Sequence, residues 1–149
     1  MSAYIQNKKA TFNYEILERF EAGVMLSGFE VKAVRNGMGN LLGAYITLRD
    51  HEAFLIKATI TPYQAANTPK DYDPERPRKL LLNHKEITRL EKELNTAGLT
   101  IVPISLYNKK SKIKLEIALV RGKKKADKRE SIKERDTKRD IQRTLKQLF

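Results

Sequence analysis

AYITLRDHEAFLIKATI, residues 44–60, decides the fold. Apolar and polar side chains alternate here with the period of two that sends neighbours to opposite faces of a strand. Ala44, Ile46 and Leu48 share one face, and Tyr45, Thr47 and Arg49 share the other. Past a turn at Asp50-His51, the same alternation assigns Phe54, Ile56, Ala58 and Ile60 to one face and Leu55, Lys57 and Thr59 to the opposite one. The stretch predicts a hairpin with one side in a core and one in solvent.

A second hairpin follows the same rule. Residues 101–106 lead into a turn at 108–111, after which Ile113, Leu115, Ile117 and Leu119 share a face. Upstream, residues 12–26 are rich in aromatic and β-branched side chains, with a turn expected at Ala22-Gly23. Two helices punctuate the strands. Ser27 and Glu30 form a capping-box pair, and Asn36-Gly37 stops the helix they begin. Asn83 caps the other, Glu86 sits three residues on, Ile87, Leu90 and Leu94 make its apolar stripe, and Gly98 is the expected C-cap. Residues 62–77 hold four prolines and no periodicity, which predicts a long surface loop. Six short strands and two helices without strand–helix alternation predict a mainly β fold, a small closed antiparallel barrel.

The chain's 149 residues suit one domain, residues 1–120, plus an appendage, residues 121–149. That appendage holds twelve Lys/Arg against five Asp/Glu, so it carries +7 of the total +12. Ile132 is its only large apolar side chain before Asp140. It buries too little to offset the entropy of ordering, so it is expected to be disordered alone. Ile141, Leu145 and Leu148 recur at helical spacing, which predicts a helix formed only on an anionic partner, RNA first. An acidic membrane is the rival, weakened by the absence of an apolar face over most of the segment.

Enzymatic templates fail one by one. There is no cysteine, no phosphate-binding glycine motif and no nucleophile elbow. Only two histidines occur, His51 at a hairpin tip and His84 at a helix start, which argues against a transition-metal site. Asp71, Asp73 and Glu75 lack the glycine and terminal glutamate of a calcium loop, and a solvated loop fits them better. No apolar run reaches the roughly 20 residues that span a bilayer, and the opening MSAYIQNKKATFN is too polar for a signal peptide. A soluble intracellular binding protein without cofactor or metal is expected.

Five segments then stand in order: NKKATFNYEILERFEAGVMLSGFEVKAVRNG (7–37), ITPY (60–63), DPERPRKLLLN (73–83), GLTIVPISLY (98–107) and RGKKKADKRE (121–130). Together they resemble the SmpB family, small protein B, the partner of transfer-messenger RNA in rescuing stalled bacterial ribosomes. The resemblance implies an oligonucleotide-binding (OB) type barrel that holds the tRNA-like domain of that RNA. It also implies a tail that enters the vacant messenger channel of the small ribosomal subunit, contacts its RNA at the decoding centre and becomes helical there. The chain is then a cytoplasmic, monomeric adaptor, without enzymatic activity and without a membrane partner. A generic basic RNA-binding or ribosome-associated protein of the same fold is the alternative.

The candidate residues come from matching positions. Glu30 matches an RNA-contacting glutamate and is equally a helix cap. Lys32 and Arg35 meet phosphates or are solvated. Asn13, Tyr14 and Tyr63 match polar and aromatic RNA-facing positions, where a tyrosine stacks on an unpaired base; core packing is the other reading of Tyr14. Arg76, Arg78 and Lys79 put three cations in four positions beside two prolines, with little room for an internal partner. Lys109, Lys110 and Lys112 surround the last turn as contacts or as a solvated turn. In the tail, Gly122, Lys123, Lys124, Asp127, Lys128 and Arg129 match a decoding-centre motif, with Arg135, Arg139, Ile141, Arg143 and Leu145 beyond it in the channel. Ala126 stands where relatives commonly carry an aromatic or histidine.

Overall fold

The computed structural model describes residues 3–62 and 68–122. In chain order the elements are β1 (Ala3–Gln6), α1 (Lys8–Asn13), β2 (Tyr14–Val24), α2 (Gly28–Arg35), β3 (Gly39–Asn40), β4 (Tyr45–Arg49), β5 (Glu52–Ile56), β6 (Thr59–Ile60), β7 (Arg78–Leu81), α3 (His84–Leu94), β8 (Leu99–Lys109) and β9 (Lys112–Gly122). Seven strands form one antiparallel sheet in the order β1-β8-β9-β2-β7-β5-β4, while β3 and β6 pair separately. Mainly antiparallel β structure with few helices is therefore present among the described residues, with nine strands where six are expected.

The expected closed barrel is not formed. β1 and β4 lie at opposite ends of the strand order, with no hydrogen-bonded ladder between them. β1 pairs with β8 at Ser105–Tyr107, and β4 curls round close to β8 without joining it in a ladder, leaving a groove between Tyr45 and the Thr100–Val102 stretch. A side chain spans the seam instead. Asn7 Nδ2 donates to the Pro103 carbonyl at 2.9 Å and to that of Leu41 at 3.4 Å.

Burial follows the alternation with one change of phase. Ile46 and Leu48 pair with Leu55 and Ala53, so the inward face of β5 is Ala53 and Leu55, not Phe54 and Ile56. Lys57 takes φ 63°, which slips the side-chain parity by one and returns Ala58 and Ile60 to the core as expected. Ala22-Gly23 is no turn either. β2 runs straight through it, pairing Gly23 with Leu81 and Lys114 on its two sides. α3 ends at Leu94, capped by Asn95, while Gly98 at φ 85° turns the chain into β8.

The Lys110-Ser111 turn has positive φ at both residues, the two-residue geometry that matches strand twist. β9 continues pairing to Gly122, opposite Tyr14. Its run Ile117-Ala118-Leu119-Val120 is buried on both faces: Ile117 and Leu119 join the main core, while Ala118 and Val120 meet Ala10 of α1. Nothing in the sequence KKATFN signals α1, since among its described side chains only the small Ala10 is fully buried.

Gly39 is the tightest glycine. A Cβ there would lie 2.8 Å from both the Thr59 carbonyl oxygen and Ile5 Cδ1. Gly39→Ala should destabilise the chain by about 1–3 kcal/mol, the cost of forcing extra volume into a packed site. Urea unfolding should show a lower midpoint at unchanged slope. An unchanged midpoint would mean that the β3–β6 pair gives way freely.

Candidate nucleic-acid interface

Glu30 is the third residue of α2, and its Oε1 accepts the Ser27 N–H at 2.9 Å, the cap the sequence predicts. The carboxylate then disappears from solvent, as does the guanidinium of Arg78. Arg78 donates to Glu30 Oε2 from Nε at 2.9 Å and from Nη2 at 2.8 Å. Its remaining donors reach the carbonyls of Ala58 at 2.8 Å and Pro74 at 2.9 Å. Arg76 adds two more hydrogen bonds, Nε to Oε2 at 3.2 Å and Nη2 to Oε1. The Tyr72 hydroxyl lies 3.0 Å from Glu30 Oε2 and 2.9 Å from the Ile60 carbonyl, and its ring meets Phe29 edge to face at 4.8 Å.

Burial alone raises the pKa of Glu30. The Arg76 bonds, the Ser27 amide and Arg78 outweigh it and hold the carboxyl at about 2. The expectation that Arg76, Arg78 and Lys79 lack internal partners is therefore corrected. Arg76 and Arg78 pair with Glu30, and Lys79 Nζ pairs with Glu52 at 3.0 Å on the sheet surface. Sequence spacing alone hides this, because α2 and β7 are 48 residues apart where they meet.

Four other candidates come together in solvent. Arg35 Nη2 donates to the Ser111 carbonyl at 3.2 Å, setting the end of α2 beside the β8–β9 turn. Lys32, Arg35, Lys110 and Lys112 are all exposed around that hydrogen bond. Lys109 points elsewhere, to Glu21 at 3.0 Å. Asn13 and Tyr14 are half-buried at the seam, in a groove of about 500 Å³ that Lys9, Leu42, Tyr45 and Thr100 also line. Tyr14 packs against the small core under α1, so its core reading holds, and it also lines the groove. Of the tail candidates only Gly122 is described, at the end of β9. Tyr63, Lys123, Lys124, Asp127, Lys128, Arg129, Arg135, Arg139, Ile141, Arg143 and Leu145 lie outside the described residues.

The family model described as SmpB protein matches residues 4–147. The chain belongs to the SmpB family. The SsrA-binding protein of Mesoplasma florum is 54% identical over 140 residues, covering 94% of each chain. That of Trichodesmium erythraeum is 48% identical over 141 residues, covering 95% of this chain and 90% of its own. A solved structure described as "tmRNA-SmpB: a journey to the center of the bacterial ribosome" aligns with TM-score 0.68 and 37% identity, over 86% of this chain and 93% of that one.

Two features of this SmpB-family chain escape the sequence reading. Tyr72, in the described part of a loop of prolines and charges, ties that part to α2 through Glu30 and Phe29. Glu21, Tyr107 and Lys109 form a surface cluster, with the Tyr107 hydroxyl donating to Glu21 Oε2. Burial and then the bond to Glu21 push the tyrosine's pKa up, while the Tyr107 and Lys109 bonds lower that of Glu21. Among the described residues of this SmpB-family chain, no helix is long and apolar enough to cross a membrane.

Proposed function

We propose that this SmpB-family chain binds transfer-messenger RNA through its tRNA-like domain and acts with it on the bacterial ribosome in trans-translation. It works in the cytoplasm as an adaptor that positions RNA and leaves the chemistry to its partners. Family membership over nearly the entire chain carries this reading. The exposed patch of Lys32, Arg35, Lys110 and Lys112 supports it, since four cations without a carboxylate among them suit phosphate. Glu30 and Arg78 act from inside, holding α2 and the loop before β7 in place. The seam groove with Asn13 and Tyr14 suits an unpaired base, which stacks on aromatic rings. The tail from Lys123 onward enters the empty messenger channel and becomes helical between its polyanionic walls, where helical spacing puts Ile141 and Leu145 on one face and Arg139 and Arg143 on the opposite one.

The test is a gel-shift titration of the full chain against labelled transfer-messenger RNA, with excess ordinary tRNA as competitor. The complex should survive the competitor, and its affinity should fall linearly in log units with log salt. Replacing Lys32, Arg35, Lys110 and Lys112 by glutamine should flatten that slope by about 1 for each phosphate left without its cation. Equal displacement by both RNAs would reduce the chain to a generic RNA binder. An unchanged slope would remove this patch from the interface.

A further inference from the structure

The two histidines of this chain are 33 residues apart in sequence, yet their rings meet. His51 sits in the β4–β5 turn, where Asp50 and His51 at φ 51° and 61° turn the chain back tightly. His84 is the first residue of α3. His51 Nε2 lies 2.6 Å from His84 Nδ1, with ring centroids 4.4 Å apart. Two turns along α3, the Glu91 carboxylate bonds the other nitrogen of His51, Nδ1. A carboxylate accepts, so Nδ1 carries the hydrogen and His51 Nε2 presents its lone pair to His84. A single proton then bridges the two facing nitrogens.

We propose that this pair is a two-imidazole site for a divalent transition metal of the copper or nickel class, with Glu91 orienting His51. Metal–imidazole bonds are about 2.0–2.1 Å long, so nitrogens 2.6 Å apart subtend about 80° at a shared ion. Opening the pair by a few tenths of an ångström gives the right angle of neighbouring positions in a square-planar or octahedral shell. A tetrahedral zinc would need the nitrogens about 3.3–3.4 Å apart, so it fits less well. The ion displaces the bridging proton and lies to one side of the line between the nitrogens, so both rings turn to aim their lone pairs at it, and water completes its shell. Glu91 touches the far side of the His51 ring, the usual place of a carboxylate that fixes a ligand's tautomer. Only two side chains therefore ligate, in keeping with the lack of any three-ligand cluster among the described residues. The bound ion would tie the β4–β5 turn to α3.

The sequence makes the test clean, because the chain has no other histidine and no cysteine. Cu²⁺ and Ni²⁺ are titrated into the full chain by calorimetry in a non-coordinating buffer. One ion should bind per chain, copper more tightly than nickel, and more weakly as the buffer is acidified and protons compete for the imidazoles. His51→Asn keeps a residue that tolerates positive φ, and it should remove the site, as should His84→Asn. Glu91→Gln keeps both ligands and should weaken binding by roughly tenfold or more. The proposal is overturned if the wild-type chain binds neither ion, or if either histidine variant binds as the wild type does.

Discussion

Glu30→Gln should lower the stability of this chain by roughly 3–5 kcal/mol at neutral pH, the cost of leaving a buried charge without its partner. Glutamine has nearly the same shape, so no cavity opens. What disappears is the charge that balances Arg78, whose guanidinium has no exposure and whose other hydrogen bonds all go to neutral oxygens. The pKa supports the size of the effect. A carboxyl held at about 2 against an ordinary 4.5 corresponds to roughly 3 kcal/mol, at 1.36 kcal/mol for each unit. Because the folded value is depressed, this stability is fully present above pH 4.5 and drains away as pH falls towards 2. Chemical denaturation of both chains between pH 7 and pH 2 should show a wide gap that narrows through that window. A gap independent of pH would mean that Glu30 acts by packing alone. RNA binding assayed below the melting temperature of the variant should weaken as well, because α2 and the loop before β7 lose their common anchor.

Truncation after Gly122 should have the largest functional effect and almost none on the fold. β9 pairs with β2 as far as Gly122, so a stop there keeps every described ladder intact. A stop after Val120 would instead remove the partners of Tyr14 and Glu15. The shorter chain loses residues 123–149, with most of the +7 that residues 121–149 carry. Its thermal midpoint should match that of the full chain, and its binding to isolated transfer-messenger RNA should fall only modestly. Tagging of stalled chains in a reconstituted translation system should fall to background. Retained tagging would show that the tail is dispensable; a collapse of the midpoint would show that the tail holds the body together.

Local signals in the sequence survive into the structure where the chemistry is local. The Ser27 and Asn83 caps, the apolar stripe of α3 and the alternation of β9 each depend on residues three or four apart at most, and all appear. What failed required knowledge of distant neighbours. Gly23 resembles a turn residue until Leu81 is seen lying over it, with its Cβ 3.1 Å from where a Gly23 Cβ would be. Ala53 and Leu55 point inward because they pair with Leu48 and Ile46, and Ala58 and Ile60 join them only because Lys57 absorbs one step of parity; no period reveals a positive φ at a lysine. Arg76 and Arg78 read as surface cations because their counter-charge arrives from another element. The two histidines read as isolated for the same reason. The exposed candidates, Lys32, Arg35, Lys110 and Lys112, were legible because exposure needs no partner.

Lys57 has a consequence beyond side-chain parity. It is where the chain leaves the seven-stranded sheet at Ile56 and enters the two-stranded one at Thr59. The two-stranded ladder has only two residue pairs, far fewer than a sheet needs to stand by itself. Ala58 and Ile60, one step past the switch, sit in the same apolar cluster as Ala53 and Leu55. The small ladder should therefore have no unfolding equilibrium of its own, and hydrogen exchange should find the amides of β3 and β6 opening only together with the core on which they rest.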